Sequence, residues 1–534
     1  MTQNAANKES APTPLIPGGW VLAGLLACMV LGVLHFLLLT TTYDMTDDAF
    51  IYFRYVENLL AGDGLTWNPG HERVEGYTGF LFLALLAVPA ALGAHLPSFV
   101  HILNLILLVA LLYSMARFVA VGVGAWKPIA LVAPLLTASS YQVIVFSRGG
   151  METVLFALLL VVALHVALFG NGSRRNLLLS GVLFGLLALT RPDGILGYVV
   201  YVGYTMAASV FQKRAVPWRD ELHRLAGLVA VLLPHLVFRI AYYGEVVPNT
   251  FHAKVGFTAP SLKRGLQAIL NYLTTLRAGI LLGAAGLWAL APRTRVGNVL
   301  ALFLTVWLLY LGSIGLSGMN WWYAMPLDVI SILWLSWSLT MLLESRQEDE
   351  GVASRPRAIG ILALVALCVA SLAAGVSRAV AVPSFFAQGL YEEPSDTGQK
   401  VTNYIKVGKL MADIAEPDET MAVAECGAIP YYAGIVTYDA VGLNDKHIAR
   451  QPVSDGVWAF GHEKGDARYL LEQKPTYVIM KPFLTRRPDG LPVGVPSWHQ
   501  MYRMGEFRRD YELVSEPVDG LYFNYYRRRP SGSD

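Results

Sequence analysis

Charge is what this sequence has least of. Only 15% of its 534 residues are Asp, Glu, Lys or Arg, against roughly 25% in an ordinary soluble protein. Hydrophobic residues make up 54%, and the mean hydropathy is +0.46. A soluble globular class is excluded, and a polytopic membrane protein is expected. A nucleic-acid face is missing too: Lys and Arg fall in short clusters between apolar runs, and the net charge is +2. There are three cysteines, Cys28, Cys368 and Cys426. The first two lie inside apolar runs, so the soluble segment around Cys426 has no internal disulfide partner, and no zinc-type spacing exists. A Gly-rich nucleotide loop is also absent. The first apolar run, Trp20 to Thr40, is too long for a signal-peptide core and lacks a small-residue cleavage site. Residues 1–18 read as a disordered cytoplasmic tail.

Apolar runs are what the chain does have. Hydropathy predicts spans near 20–41, 98–118, 128–147, 153–170, 177–190, 194–212, 225–242, 278–291, 297–316, 324–343 and 358–377. Basic residues cluster at Arg174-Arg175, Lys213 to Arg224, Arg293 and Arg295, and Arg346 to Arg357. The positive-inside rule puts those loops in the cytoplasm. The loop holding Asp47 and Asp48 is then outside, as is everything after Arg378. Phe80 to Gly93 is apolar but short and contains Pro89, so it reads as re-entrant or lying on the membrane surface. Ser261 to Arg277 has interfacial character. The fold class expected is an α-helical polytopic membrane domain over 19–377, with about 11 spans (range 11–13), followed by a small C-terminal α/β domain over 378–534 on the outer face. Within that domain, Met421-Ala-Val-Ala and Tyr477-Val-Ile-Met look like strands, and Pro430 to Gly434 reads as a turn.

The densest chemistry sits just after the first span, at Thr46-Asp47-Asp48-Ala49-Phe50. A charge deep in lipid would cost on the order of 3 kcal/mol. At the rim, a carboxylate has water on one side and low-dielectric lipid on the other, which suits a base that takes a proton from a hydroxyl. A solvated acidic loop ending a helix is the plainer alternative. The other outward loops gather more polar groups: Arg54, Tyr55, Glu75 and Tyr77; Arg148 and Glu152; Arg191 and Asp193; Tyr243, Asn249, His252 and Lys254; and Asn320, Trp321 and Trp322. Singly, each has a bland reading. Arg191 and Asp193 fit a local ion pair, Lys254 fits a snorkelling lysine, and Trp321, Trp322 and Tyr323 fit an aromatic belt better than a sugar platform. Their arrival on one face is harder to explain that way.

Those residues carry a resemblance. Asp47 through Tyr55, Asn58 to Gly62, Trp67-Asn68-Pro69-Gly70 and Arg73 to Thr78 resemble the first outer loop of bacterial GT-C glycosyltransferases, especially the mycobacterial terminal arabinofuranosyltransferase and its relatives. The likeness continues at Gly150-Met-Glu152, at Leu189 to Asp193, and from Tyr242 through Lys254. It implies a first outer loop, 42–78, that carries the catalytic base. Asp47 fits that role and Asp48 supports it. It also implies a donor sugar on a polyprenyl phosphate, a glycan or glycoprotein acceptor, contact with membrane lipids, and no nucleic acid. The place implied is a bacterial inner (plasma) membrane, with the site facing the periplasm or exterior. No resident cofactor is implied, and a divalent cation stays open. The sequence departs from the relatives at Gly318 to Trp322, where they often carry an Asp and an Arg. Gly427 to Tyr432 and Gly442 to Asp445 look like a tail element of the relatives, with no role attached.

A phosphate leaving group calls for nearby cations, and Lys254, Arg191 and Arg148 are the candidates. Two rival classes remain. A transporter or flippase for a lipid-linked substrate predicts internal repeats or mid-span charges, and neither stands out. A polysaccharide polymerase or ligase would use outward Arg and His on large loops.

Overall fold

The computed structural model describes residues 13–38, 45–254, 259–273, 275–315, 322–345, 400–454 and 461–530. Its first helices are α1 (Gly19–Leu38), α2 (Ala49–Ala61), α3 (Phe80–Ala91), α4 (Leu96–Val123), α5 (Val132–Ser139), α6 (Tyr141–Arg148), α7 (Thr153–Phe169) and α8 (Arg174–Thr190). There follow α9 (Ile195–Phe211), α10 (Trp218–Tyr243), α11 (Asn249–Lys254), α12 (Ala259–Leu273), α13 (Leu276–Leu290), α14 (Arg295–Ser313) and α15 (Met325–Ser345). Among the described residues, six helices are long and apolar enough to cross a membrane, or eight if each of two bent pairs counts as one span.

The eleven predicted spans are therefore not all met as straight, full-length helices. The run at 128–147 breaks at Ser140 and bends by 61°. Ser140 leaves helical geometry, and its hydroxyl accepts from the Val143 N–H to cap α6, a bond that competes with helix continuation. The runs at 153–170 and 177–190 are α7 and α8, of 17 residues each, at the short end for an ~30 Å hydrocarbon core. The run at 278–291 continues α12 through a 76° bend. The run at 358–377, with Cys368, lies outside the described residues. α3 has 12 residues and keeps Pro89 inside it. At ~1.5 Å per residue it is about 18 Å long, too short to cross a bilayer core of ~30 Å.

Helices α8 and α10 touch backbone to backbone. A Cβ on Gly181 would sit 1.9 Å from the Arg224 carbonyl oxygen, and one on Gly227 would sit 2.2 Å from that of Leu178. Glycine at both positions is what allows this approach. Further along the same pair, Leu189 of α8 and Leu232, Leu233 and Leu236 of α10 line an open groove.

The polar loops collect at one end of the bundle. The Thr46 N–H donates to Gly149 O, and Asn249 N–H to Glu75 O. Tyr52 donates to Glu152, and the Arg191 guanidinium lies over the Tyr323 ring. At the opposite end, Lys127 pairs with Glu344 at 2.8 Å, and Trp337 donates to Thr294.

The C-terminal unit sits on the loop end. It comprises α16 (Lys400–Ile414), β1 (Thr420–Val423), α17 (Ala428–Ala433), β2 (Val436–Asp439), α18 (Lys446–Ala449), α19 (Ala467–Glu472), β3 (Tyr477–Ile479), α20 (Pro496–Arg503), α21 (Gly505–Asp510), β4 (Tyr511–Val518) and β5 (Leu521–Arg528). The five-stranded sheet has the order β2-β1-β3-β5-β4. β1 pairs in parallel with β2 and β3, and the β4–β5 hairpin adds antiparallel through β5. Both segments read as strands, at Met421 and at Tyr477, lie in this sheet and are fully buried. The segment read as a turn, Pro430 to Gly434, is instead most of α17. Its turn signal is the end of the helix, where Gly434 takes a φ of 70°.

Arg54 of α2 holds this unit to the first loop. Its buried guanidinium donates to the carbonyls of Trp67 at 2.9 Å, of Ile435 at 2.9 Å and of Pro430, and to Asn68 Oδ1 at 3.1 Å. Burial pushes its pKa down to about 10, still well above neutral, so the cation is retained. This layout can be tested at both ends and at the interface. Single-cysteine variants at Asp63 and Asp519 should react with an impermeant maleimide on intact cells, and variants at Arg175 and Arg214 only after permeabilisation. Reaction at Arg175 from outside would overturn the assignment of ends. Arg54→Leu should lower the thermal midpoint in detergent by several degrees, because each buried carbonyl left without its donor costs about 1–3 kcal/mol. An unchanged midpoint would refute the interface role.

Candidate active site

Two adjacent carboxylates open α2, and each is met by a different part of the chain. Asp47 Oδ1 accepts from the Ala428 N–H at 2.8 Å, and its Oδ2 accepts from the Gly427 N–H at 3.1 Å. Asp48 instead faces Lys254, with its Oδ2 3.5 Å from the Lys254 Nζ. Burial works against the Lys254 charge, but Tyr323 and Asp48 beside it outweigh burial and hold the ammonium charged.

Lys254 lines a cavity of about 90 Å³ together with Thr78, Glu152, Arg191, Asp193, Thr250, Tyr310 and Tyr323, and with the apolar Pro192, Pro248, Phe251 and Ile314. Its two acidic residues are partnered. Asp193 accepts from Arg191 at 3.1 and 2.5 Å, and Glu152 accepts from Tyr52 at 3.0 Å. Two polar atoms are not: among the described residues, Arg191 Nη1 and Thr250 Oγ1 are buried with no hydrogen-bond partner. Orphaned buried donors are costly, and both belong to residues of the cavity wall. Thr78 and Pro192 also line the apolar groove between α8 and α10, about 360 Å³ in volume. The cavity that holds Arg191 and Lys254 and the groove therefore share a wall.

The sequence-predicted residues divide into three sets. Glu152, Arg191, Asp193 and Lys254 line the cavity; Asp48 reaches it through Lys254, and Asp47, the next residue, is not in its lining. A second set is taken up by structural bonds instead of facing a ligand. Arg54 serves the interface described above. Tyr55 donates to Val74 O at 2.7 Å and to Asn444 Oδ1 at 3.3 Å. Glu75 accepts a bidentate pair from Arg239 at 2.6 and 3.0 Å. Tyr77 and Tyr243 share a hydroxyl contact at 3.1 Å. The Asn249 amide donates to the carbonyls of Gly442 at 2.8 Å and Leu443 at 3.0 Å. The third set lies at the margin or beyond it. His252 lies 4.0 Å from Glu245, outside the cavity lining. Trp322 stacks on Tyr323 at 5.6 Å, which brings it to the edge of the cavity, and Asn320 and Trp321 lie outside the described residues. Arg148, a phosphate candidate, packs over the Phe36 ring at 5.5 Å and does not line the cavity.

Sequence reasoning missed Thr250, Tyr310 and the Gly427–Ala428 amides as parts of the site. Thr250 sits inside a motif segment without standing out from it. Tyr310 lies in an apolar run with no signal to set it apart, and backbone donors leave no residue-type signature. Behind the amides, the buried Cys426 thiol is pushed well up by burial and by Asp439, Asp48 and Asp47. Asp439 is itself pushed up to about 6 by burial, against N–H bonds from Asn444, Val441 and Gly442. Among the described residues, no group of three or more His, Cys, Asp or Glu is placed to hold a metal ion.

Comparison with known proteins supports the resemblance. Residues 391–530 match a family described as a domain of unknown function, DUF8728. Over 227 residues the chain is 28% identical to the terminal β-(1→2)-arabinofuranosyltransferase of Mycobacterium tuberculosis. That match covers 39% of this chain and 35% of the relative, so it spans about a third of the relative's length. The fold is similar to the crystal structure of ArnT from Cupriavidus metallidurans bound to undecaprenyl phosphate, with a TM-score of 0.55 and 14% identity over 79% of this chain and 86% of that one. It is also similar to the arabinofuranosyltransferase AftD from Mycobacteria, with a TM-score of 0.51 and 18% identity over 94% of this chain and 41% of that one. Helical architecture, first-loop motif and these likenesses agree, and the chain has the fold of the GT-C membrane glycosyltransferases.

Proposed function

We propose that this chain moves a sugar, arabinofuranose by the resemblance, from a polyprenyl-phosphate donor to a hydroxyl of a cell-envelope glycan or glycoprotein at the outer face of the membrane. The observation that carries the reading is the shared wall between cavity and groove. A ligand with an anionic head and a long apolar tail matches both halves at once. Arg191 Nη1 and Thr250 Oγ1 are buried donors awaiting an acceptor among the described residues, and Lys254 brings a charged ammonium to the same cavity. A phosphate oxygen would satisfy them. The isoprenoid chain would leave past Thr78 and Pro192 into the largely apolar groove between α8 and α10.

The chemistry is a single displacement. Asp47 takes the proton of the acceptor hydroxyl. The acceptor oxygen bonds to the anomeric carbon as the bond from that carbon to the phosphate oxygen breaks. The electron pair leaves on polyprenyl phosphate, and the anomeric configuration inverts. Asp47 suits the base role because neutral backbone donors orient it, whereas Asp48 is tied to the Lys254 cation. Asp48 then acts by holding Lys254 against the leaving phosphate.

Asp47→Asn is nearly isosteric and removes the basicity. It should abolish release of polyprenyl phosphate while leaving expression and thermal midpoint intact, and near-normal turnover would shift the base role to Asp48. Lys254→Gln should raise the donor KM, or lower kcat/KM for donor, by roughly ten- to a hundredfold, because it removes one charge-assisted hydrogen bond to the phosphate. Acceptor KM should stay within about twofold, because Lys254 binds the donor phosphate and not the acceptor. Unchanged donor dependence would return Lys254 to a snorkelling role and leave Arg191 as the phosphate ligand.

A further inference from the structure

The C-terminal unit reaches the catalytic loop through one unusual contact. Gly427 sits against Asp47 so closely that a Cβ there would lie 2.0 Å from the Asp47 carbonyl oxygen and 2.6 Å from its carboxyl carbon. At that spot the Gly427 and Ala428 N–H groups each take one oxygen of the Asp47 carboxylate, at 3.1 and 2.8 Å. The segment carrying these amides is itself immobilised from both sides. Arg54 holds the carbonyls of Pro430 and Ile435, and Tyr431 donates to Glu57. The rings of Tyr431 and Tyr432 pack on Phe50 at 5.5 and 5.8 Å. From the other side, α16 approaches so closely that a Cβ on Gly408 would lie 2.9 Å from the Ile429 carbonyl oxygen.

We propose that the Gly427–Ala428 amide pair is a positioning element for the reaction: it aims the Asp47 carboxylate, so the C-terminal unit is part of the catalytic apparatus and not an appended module. The proposal rests on Asp47 being the base. Its physical basis is that a base works only within hydrogen-bond reach of the proton it removes, and that a carboxylate on a loop at a membrane rim has free rotation unless something fixes it. Two N–H donors on adjacent residues, one per oxygen, fix both the position and the plane of the carboxyl group. A glycine at 427 is the condition for that approach, since any side chain would displace the Asp47 backbone itself. It also gives the tail element Gly427 to Tyr432 a task that its own sequence does not disclose.

The test is a comparison of five variants of the full-length protein in nanodiscs, read by kcat, donor KM, pH–rate profile and thermal midpoint. Gly427→Ala should lower kcat by about ten- to a hundredfold, the cost of misplacing a reacting group by roughly 1 Å, with donor KM unchanged. The acidic limb of its pH–rate profile should move to higher pH, because donors that favour the carboxylate form are removed. If Gly427→Ala does not fold, Ala428→Pro provides the second route. It replaces one of the two N–H donors by a ring carbon set against Asp47, and should show the same pattern, with the thermal midpoint reporting whether the variant is folded. Gly505→Ala, at a site with open space around the new Cβ, should match the parent. Tyr431→Phe keeps both amides and removes one anchor of their segment, so it should lower the thermal midpoint and move the pH limb less than Gly427→Ala does. A folded Gly427→Ala with parental kcat and pH profile overturns the positioning role while leaving the base intact. An active Asp47→Asn overturns the base reading itself.

Discussion

The site is organised by how two neighbouring carboxylates are satisfied at one end of the helix bundle. Asp47 and Asp48 begin the same helix, so their side chains diverge. Asp47 turns towards the C-terminal unit and takes two backbone N–H bonds. Asp48 turns towards α11 and meets Lys254. An anion left without such partners in a partly buried loop would be costly. Solving that problem twice, with different chemistry, joins three remote segments: the first loop, the 242–254 loop and the tail element beginning at Gly427. The same division gives the two aspartates different work, one oriented by neutral dipoles and one tethering a cation.

Around that arrangement the membrane half supplies shape. The glycine contacts between α8 and α10 close one stretch of that helix pair, and the leucines beyond leave it open as a groove. The groove meets the cavity of Arg191 and Lys254 at Thr78 and Pro192. Charged cavity residues lie at one end of the bundle and not at mid-span, which fits surface chemistry on a lipid-borne donor better than passage of a substrate through the bilayer.

Much of this was legible in the sequence, for identifiable reasons. Hydropathy gave the apolar runs, six to eight of which are spans among the described residues, and the polar loops between them could be read directly. The strands at Met421 and Tyr477 were visible as short apolar runs. The break at Ser140 was not, because a serine hydroxyl in an apolar run signals a cap only once the backbone has turned. Site residues were identified by type but not by task. Arg54, Tyr55, Glu75 and Asn249 belong to the motif, yet their polar groups are used to bind the loop to Arg239 and to the C-terminal unit. A motif records that a residue matters, without saying whether it faces ligand or neighbour. The amides of Gly427 and Ala428 lie beyond any residue-type reading, since every residue but proline carries one.

The most direct measurement is a structure of the full-length protein with polyprenyl phosphate in a lipid nanodisc. The account predicts the phosphate within hydrogen-bond distance of Arg191 Nη1, Thr250 Oγ1 and Lys254 Nζ, with the first isoprene units in the groove between α8 and α10. A lipid bound elsewhere on the bundle, with the Arg191–Lys254 cavity left empty, would contradict it.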